Sequence, residues 1–391
     1  MMSGQKVRIG VIGYGNMGTG HAGYLIKNEI ENAEITALCD NNPDKLIKAK
    51  TELGDNISYF DNYKKMLESK LVDLIIIAVP HYFHPVIGMD ALKSGINVLS
   101  EKPIGVYTKD VEEMNELARK SNLTYSIMFQ QRTHSKHKII KELLDNGELG
   151  ELKRIVWIVT NWYRSQSYYD SGTWRATWAG EGGGVLINQC PHNLDLWQWF
   201  FGMPERIRGF CEFGKYRNIE VEDDVTAYMQ YKNGATGTLI TTTGETPGTN
   251  RLEISGDNGK LIYEDGKIVL YKNEIPESEF NRIYTGGFGN PKCERIEVED
   301  IEKGWDDHRK ITQNTVNNIL IKEPLIAEAY EGIKSLSLSN AIYLSTWIDS
   351  WVNLPIDKDL YLEELKKRIA TSKTKYNIVE QTMNIKGTSN I

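Results

Sequence analysis

The stretch VRIGVIGYGNMG, Val7–Gly18, decides the reading of this chain. An apolar, β-branched run (Val7–Ile12) passes directly into Gly13-Tyr14-Gly15-Asn16-Met17-Gly18, and then into residues of helical composition, Gly18–Asn28. Between a strand and a helix, the first glycine of such a turn permits the sharp reversal. The second lets the backbone approach a pyrophosphate, and the third allows close helix–strand packing. The helix N-terminus then offers unpaired N–H groups and the positive end of its dipole to the phosphates. Out of context a GxGxxG pattern means little, because 34 glycines generate it by chance. A purely structural glycine turn is the alternative, and the flanking strand and helix argue against it.

Downstream, a second strand, Glu34–Asp40, ends on Asp40-Asn41. A carboxylate at that place accepts hydrogen bonds from the adenine ribose hydroxyls and repels a 2′-phosphate. No arginine follows at once, so NAD is favoured over NADP. Asp40 could also cap a helix starting near Pro43, and the two roles are compatible. Leu74–Val79, Asn97–Ser100 and Thr124–Phe129 read as further buried strands, with Asp44–Leu53 and Thr108–Ser121 as helices between them. Strands alternating with helices imply a parallel sheet covered on both faces.

After a helix at 136–147 with a glycine stop, the pattern changes. LKRIVWIVTNW (152–162), ERIRGFCEF (205–213), DDVTAYMQYK (223–232) and ATGTLITTT (235–243) alternate apolar and polar residues. Asn233-Gly234, Asn258-Gly259 and Asp265-Gly266 are favoured hairpin dipeptides. This describes an antiparallel sheet with one covered face, the other solvated or paired with a second subunit. A helix at Asn188–Phe201 interrupts it, and a late helix at Leu325–Trp351 is expected to pack back between the domains. Thr371–Ile391 is polar and aperiodic, a tail or an oligomer arm. The expected fold is an α/β N-terminal Rossmann domain with a doubly wound parallel sheet (1–128). An α+β C-terminal domain with a large, mostly antiparallel, open-faced sheet follows (129–355), then a C-terminal helix and tail (356–391).

The 391 residues exceed what one hydrophobic core organises. A formal net charge of −7 argues against a nucleic-acid partner, which requires a basic surface. No apolar run approaches the roughly 20 residues needed to span a bilayer. The four cysteines are scattered without CxxC or disulfide spacing, and the opening MMSGQKVRIGVIG has no signal-peptide h-region. These features predict a cytoplasmic protein, assembling as a homodimer or homotetramer through its C-terminal sheet.

Two further segments, AVPHYFHP (Ala78–Pro85) and NVLSEKPIG (Asn97–Gly105), follow buried strands. A third, GEGGGVLINQCPHNLDLWQWFFG, spans Gly180–Gly202. The ordered set of GxGxxG, Asp, Pro-x-x-x-His, Glu-Lys-Pro and a glycine-rich turn before a histidine-bearing helix resembles the Gfo/Idh/MocA family of oxidoreductases. That resemblance extends over nearly the whole chain. It implies a small carbohydrate or cyclitol substrate, and it implies that Glu101-Lys102-Pro103 lies beside the nicotinamide with a cis Lys-Pro bond. It places Ala78, Val79, Pro80, His81 and His84 along the nicotinamide ribose, and Gln130 and Gln131 near the interdomain cleft. Trp174 and Arg175 match a Trp-Arg pair close to the cofactor in relatives. Substrate contacts are expected from Lys102, Gln131, Tyr163, Arg175, Asn188 and His192.

The chemistry narrows the catalytic set to Lys102, His192 and Asn188. Oxidising a secondary alcohol removes a hydride from carbon and a proton from oxygen. A partly desolvated lysine beside a cationic ring has its pKa lowered toward the working range. An imidazole at His192 can relay a proton or hold a hydroxyl, and a helical turn would put Asn188 on its face. Sugar-oxidising relatives usually carry aspartate where this chain has Asn188. Asparagine cannot take a proton, so proton transfer shifts to Lys102 with His192 assisting. The other histidines, His21, His81, His134, His137 and His308, read as solvated or structural apart from the cofactor-side place the resemblance gives His81, and no spacing matches a metal site. Trp162, Tyr163, Tyr168, Tyr169, Trp174 and Trp178, mixed with Arg164 and Arg175, suit either a sugar ring or a partner subunit. Three readings follow: a sugar or cyclitol dehydrogenase, an enzyme oxidising an intact glycoside (for instance at C3), and a non-catalytic NAD-binding sensor.

Overall fold

The computed structural model describes residues 6–300, 307–373 and 375. Along the first third, β1 (Val7–Ile12), α1 (Asn16–Ile26), β2 (Ala33–Cys39), α2 (Pro43–Leu53), β3 (Ser58–Phe60) and α3 (Tyr63–Glu68) alternate. They continue as β4 (Leu74–Ile77), α4 (Phe83–Lys93), β5 (Asn97–Ser100), α5 (Thr108–Ser121) and β6 (Tyr125–Ile127). The strands lie in the order β3-β2-β1-β4-β5-β6 and every pairing is parallel. Chain order reverses between β1 and β4, which opens a crevice at their carboxyl ends. Leu74, Ile75, Ile76 and Ile77 are all fully buried, the continuous apolar run that a central parallel strand requires. Each such side chain stabilises the core by roughly 2 kcal/mol.

A 3-10 turn (Gln130–Thr133) leads into α6 (Ser135–Asp145), β7 (Leu152–Val159), α7 (Gln166–Tyr169) and α8 (Pro191–Phe201). Then come β8 (Arg206–Phe213), β9 (Glu222–Gln230), β10 (Thr236–Thr242), β11 (Asn250–Gly256), β12 (Gly259–Glu264) and β13 (Lys267–Asn273). The described chain continues through α9 (Glu277–Ile283), β14 (Cys293–Val298), α10 (Asp307–Ile321), α11 (Gly332–Trp347), β15 (Val352–Asn353) and α12 (Lys358–Thr371). The second sheet runs β14-β13-β12-β11-β7-β10-β9-β8-β15 and is antiparallel except where β7 meets β10. Its three expected hairpins are present. At the β12–β13 turn both Asp265 (φ 48°) and Gly266 (φ 69°) are left-handed, as the tightest hairpin turn demands.

One face of this sheet is covered by α8, with Trp157 stacked over Trp197 at 6.4 Å between ring centroids. The opposite face leaves Phe210 52% exposed. α11 packs on β8 and α8 with one side and on α5 with the other, so it ties the two sheets together. Among the described residues, no helix is long and apolar enough to cross a membrane.

Three helix expectations are corrected. The late helix starts at Gly332, not Leu325, because residues just before it pair with the edge of the first sheet, where the Ile127 amide donates to the Ala327 carbonyl (3.2 Å). The helix expected from Asn188 starts at Pro191, so Asn188 sits in the turn ahead of it. α10 was not anticipated; its sequence DHRKITQNTVNNILI is rich in Asn, Thr and Ile, which are indifferent helix formers. The stretch expected to form a tail falls almost wholly outside the described residues.

Candidate active site

A cleft of about 730 Å³ runs from the carboxyl ends of β1 and β2 to the turn before α8. At its first end the glycines of the opening motif have separable jobs. A Cβ on Gly13 (φ +95°) would lie 2.3 Å from the Ala78 carbonyl oxygen, and one on Gly18 would lie 1.8 Å from that of Gly13. A Cβ on Gly15 would meet nothing within 4 Å, because this position faces open space. α1 begins at Asn16 with no side-chain cap and no acidic residue in its first turn. The positive end of its dipole, with Gly15 and Met17 on the cleft wall, suits a pyrophosphate. These residues fit a dinucleotide. Gly18 does not line the cleft; it serves packing alone.

Asp40 is buried beside Asn41, and its carboxylate accepts from the amides of Tyr14 (2.7 Å) and Asn42 (2.9 Å). It does not cap α2: Asn42 does, accepting from the amides of Asp44 and Lys45. Asp40 therefore welds the glycine turn to the β2 end while lining the cleft. Lys45, Asp61 and Lys64 also line this end, none of them anticipated.

Ala78, Val79, Pro80 and His81 form the middle wall. His81 donates through Nδ1 to the Glu181 carbonyl (3.1 Å), and burial holds its pKa well below the usual histidine range. His84 meets the carbonyls of Pro103 and Val79, both at 2.7 Å, so it pins two loops together and has no ring nitrogen left for a ligand. Glu101 pairs with His21 at 2.8 Å. Burial opposes the charge on Glu101, but the His21 hydrogen bond and the charges around it outweigh that and hold the carboxyl down to about 2. The Lys102–Pro103 bond is cis.

Lys102 projects into the far end, where Nζ donates to the Asn188 carbonyl oxygen (2.7 Å). Burial lowers its pKa. Glu101 and Glu181 oppose this, Arg164 and Arg175 add to it, and the net direction is down. Asn188 sits on a turn that only glycine can follow: Gly182 and Gly183 have φ of +84° and +153°, and a Cβ on Gly184 would lie 2.0 Å from the Glu222 carbonyl. The Glu222 carboxylate fixes this turn by accepting from the amides of Gly184 (2.9 Å) and Leu186 (2.8 Å). The Asn188 amide nitrogen donates to Glu181 Oε1 and to the Tyr168 hydroxyl (3.2 Å), leaving Oδ1 as the group that can meet a hydroxyl.

His192, in the first turn of α8, is buried, with Nδ1 unpartnered among the described residues and Nε2 3.4 Å from the Gln130 amide nitrogen. Burial, with Lys102 nearby, keeps its pKa well below the ordinary value, so it is neutral. Gln130 Oε1 and Gln189 Oε1 are likewise buried without a partner. Gln131 lines the same end while its carbonyl accepts from His137 Nδ1 (2.8 Å). Trp174 and Arg175 form the adjoining wall.

The structure thus gathers almost every anticipated residue on one cleft, Gly18 and Tyr163 excepted. Tyr163 is 44% exposed and its ring lies against Arg217 (5.1 Å); Tyr168 takes its expected place. Tyr168, Glu181 and Gln189 were not assigned to the site from sequence, although Glu181 is the lone carboxylate in a glycine-rich turn. The remaining histidines are not solvated: His21, His134 and His137 are buried, and His308 on α10 lines the cleft.

Comparison with known proteins agrees with this geometry. Residues 7–129 match the model of an oxidoreductase family with an NAD-binding Rossmann fold, and residues 137–262 match the GFO/IDH/MocA C-terminal domain. The D-glucoside 3-dehydrogenase of Escherichia coli is 24% identical over 372 residues, 90% of this chain and 99% of the relative. The myo-inositol 2-dehydrogenase of Thermotoga maritima is 25% identical over 268 residues, 66% and 75% of the two chains. The WlbA dehydrogenase of Bordetella pertussis, solved with NADH and UDP-GlcNAcA, superposes with a TM-score of 0.75 at 25% identity, covering 90% of this chain and all of that one. With family models matching both halves of the sequence, the chain belongs to the Gfo/Idh/MocA family of NAD-dependent oxidoreductases.

Proposed function

We propose that the protein oxidises, reversibly, a secondary hydroxyl of a sugar, cyclitol or sugar derivative, with Lys102 as the principal acid–base. The observation that carries this reading is the placement of the Lys102 amine. It sits at the end of the cleft nearest α8, 2.7 Å from the Asn188 carbonyl, with a pKa below that of an ordinary lysine. NAD⁺ held by the glycine turn supplies the acceptor for the hydride that leaves the alcohol carbon. Neutral Lys102 accepts the hydroxyl proton at Nζ, and its ammonium returns it in the reverse direction. Neutral His192, on the cleft wall in the first turn of α8, assists, and Asn188 Oδ1 accepts from a neighbouring hydroxyl. Trp162, Tyr168 and Trp174 supply flat faces for the apolar side of a ring.

An intact glycoside is a second reading, favoured by this aromatic wall and by full-length similarity to a D-glucoside 3-dehydrogenase. The sensor reading has no use for a lysine with a lowered pKa in the cleft. The test is NADH formation, with mass detection of the ketone, across free cyclitols, monosaccharides and intact glycosides. Turnover on any of them with NAD⁺ upholds the proposal. Tight NAD and sugar binding without product in any arm overturns it.

A further inference from the structure

Behind the sugar end of the cleft stands a carboxylate with no part in the proton transfer itself. Glu181 is 2% exposed and does not line the cleft, yet it joins stretches of chain that do. Its Oε2 accepts from the Ala176 amide (2.5 Å) and its Oε1 from the Asn188 side-chain amide. Ala176, directly after Trp174-Arg175, has a φ of 52°, a left-handed conformation that alanine rarely adopts. The Glu181 carbonyl also accepts from His81 Nδ1 (3.1 Å), on the loop between β4 and α4. One buried residue thus ties together the Trp174-Arg175 turn, the Asn188 turn and the His81 loop.

Charges of both signs surround it. Burial pushes the Glu181 carboxyl up, against Arg175, the Ala176 amide, Asn188 and Lys375. At Lys102, burial disfavours the ammonium; Glu101 and Glu181 favour it, and Arg164 and Arg175 oppose it. His81, His84, His192 and His308 face the same amine, and burial holds each of them below the usual histidine range.

We propose that Glu181 is a positioning residue: it turns the Asn188 amide so that Oδ1 faces the substrate, and it keeps a negative charge near Lys102. This rests on the dehydrogenase reading and adds a residue to its machinery. A carboxylate only accepts, so the Asn188 NH2 points back to it and Oδ1 points forward. The cleft then offers an acceptor beside Lys102, which suits a ring position bearing a hydroxyl and disfavours an ether. A glutamine here would carry one acceptor and one donor. With its oxygen on the Ala176 amide, its NH2 would face that of Asn188 and turn the asparagine round.

The test reads the pH profile of kcat/KM for myo-inositol, glucose and methyl glucoside with NAD⁺. It is run beside a 13C NMR titration of Lys102 in lysine-labelled protein, the signal being identified by its loss in Lys102→Met. Glu181→Gln is expected to lower kcat/KM about tenfold or more, with NADH affinity held within about twofold. Because Glu181 favours the ammonium, its removal lowers the Lys102 pKa. The rising limb and the NMR midpoint should therefore move to lower pH by about half a unit or more, a shift that a merely structural role would not give. Glu181→Asp keeps the charge and should leave the midpoint in place. Asn188→Asp sets two carboxylates in contact and should lower kcat/KM about tenfold. Adding Glu181→Gln to it restores a donor–acceptor pair in reverse and should recover most of that loss. This reversed pair carries the test if Glu181→Gln alone misfolds. An unmoved Lys102 midpoint in Glu181→Gln, or additive losses in the double variant, overturns the proposal. A moved midpoint with no turnover of any of the three sugars would sink the dehydrogenase reading and leave the Glu181 placement standing. Turnover with an unmoved midpoint would do the reverse.

Discussion

At the dinucleotide end of the cleft the surface is mostly backbone: glycine carbonyls packed to van der Waals limits, the bare N-terminus of α1, and one carboxylate bonded to two amides. At the sugar end it is mostly side chain: Lys102, Asn188, His192, Gln130, Tyr168 and Arg175, delivered by four separate segments. At Gly13 and Gly18 the first end has no room for a side chain, while Gly15 faces open space. The second depends on how a few polar groups are aimed. The contrast teaches that room for a dinucleotide is built into the chain path, whereas substrate choice rests on side chains that can be exchanged singly.

That contrast can be broken by substitution. Lys102→Met is expected to give the largest effect, lowering kcat by about a thousandfold, the scale of losing a positioned acid–base, with NAD binding retained in fluorescence titration. Retained turnover would remove the lysine from the mechanism. Gly18→Ala comes next: its Cβ would sit 1.8 Å from the Gly13 carbonyl, so the turn must open. We expect thermal unfolding to show a loss of roughly 2–3 kcal/mol, within the range for backbone strain and overpacking, together with weakened NAD binding. An unchanged melting temperature would contradict the packing role. Asp40→Ala is the mildest of the three, raising KM for NAD by about tenfold and narrowing the preference over NADP, while kcat stays within a few-fold. An unaltered NAD-to-NADP ratio would leave Asp40 as a loop weld only.

The same division explains what could be read from the sequence. A glycine turn announces itself because only one residue type satisfies φ +95° at Gly13 or the contact at Gly18. The parallel strands were legible because β4 is an unbroken aliphatic run, and the hairpins because Asp265-Gly266 permits a left-handed pair. The three-residue β3 and the Asn- and Thr-rich α10 carried no periodic signal, so His308, which α10 brings to the cleft, was read only as solvated or structural. Asn188 was identified as a departure from the family pattern, but its partner Glu181 was not, since their pairing follows from a turn geometry set by Glu222. The choice of Tyr163 over Tyr168 failed for a similar reason: neighbouring aromatics on an irregular loop look alike until the chain path is known.

The central claim, that Lys102 in its neutral form takes the proton, is tested most directly by the pH dependence of kcat/KM for the best substrate. Because the lysine pKa is lowered, the account predicts a rate that rises with pH and reaches its plateau below the ordinary lysine value of about 10.4. His192 is held neutral, so no inflection is expected near the usual histidine pKa of about 6.5. The rising limb should vanish in Lys102→Met. A limb that persists unchanged in that variant, or an inflection near neutrality that disappears in His192→Ala, would contradict the account and hand the proton to the histidine.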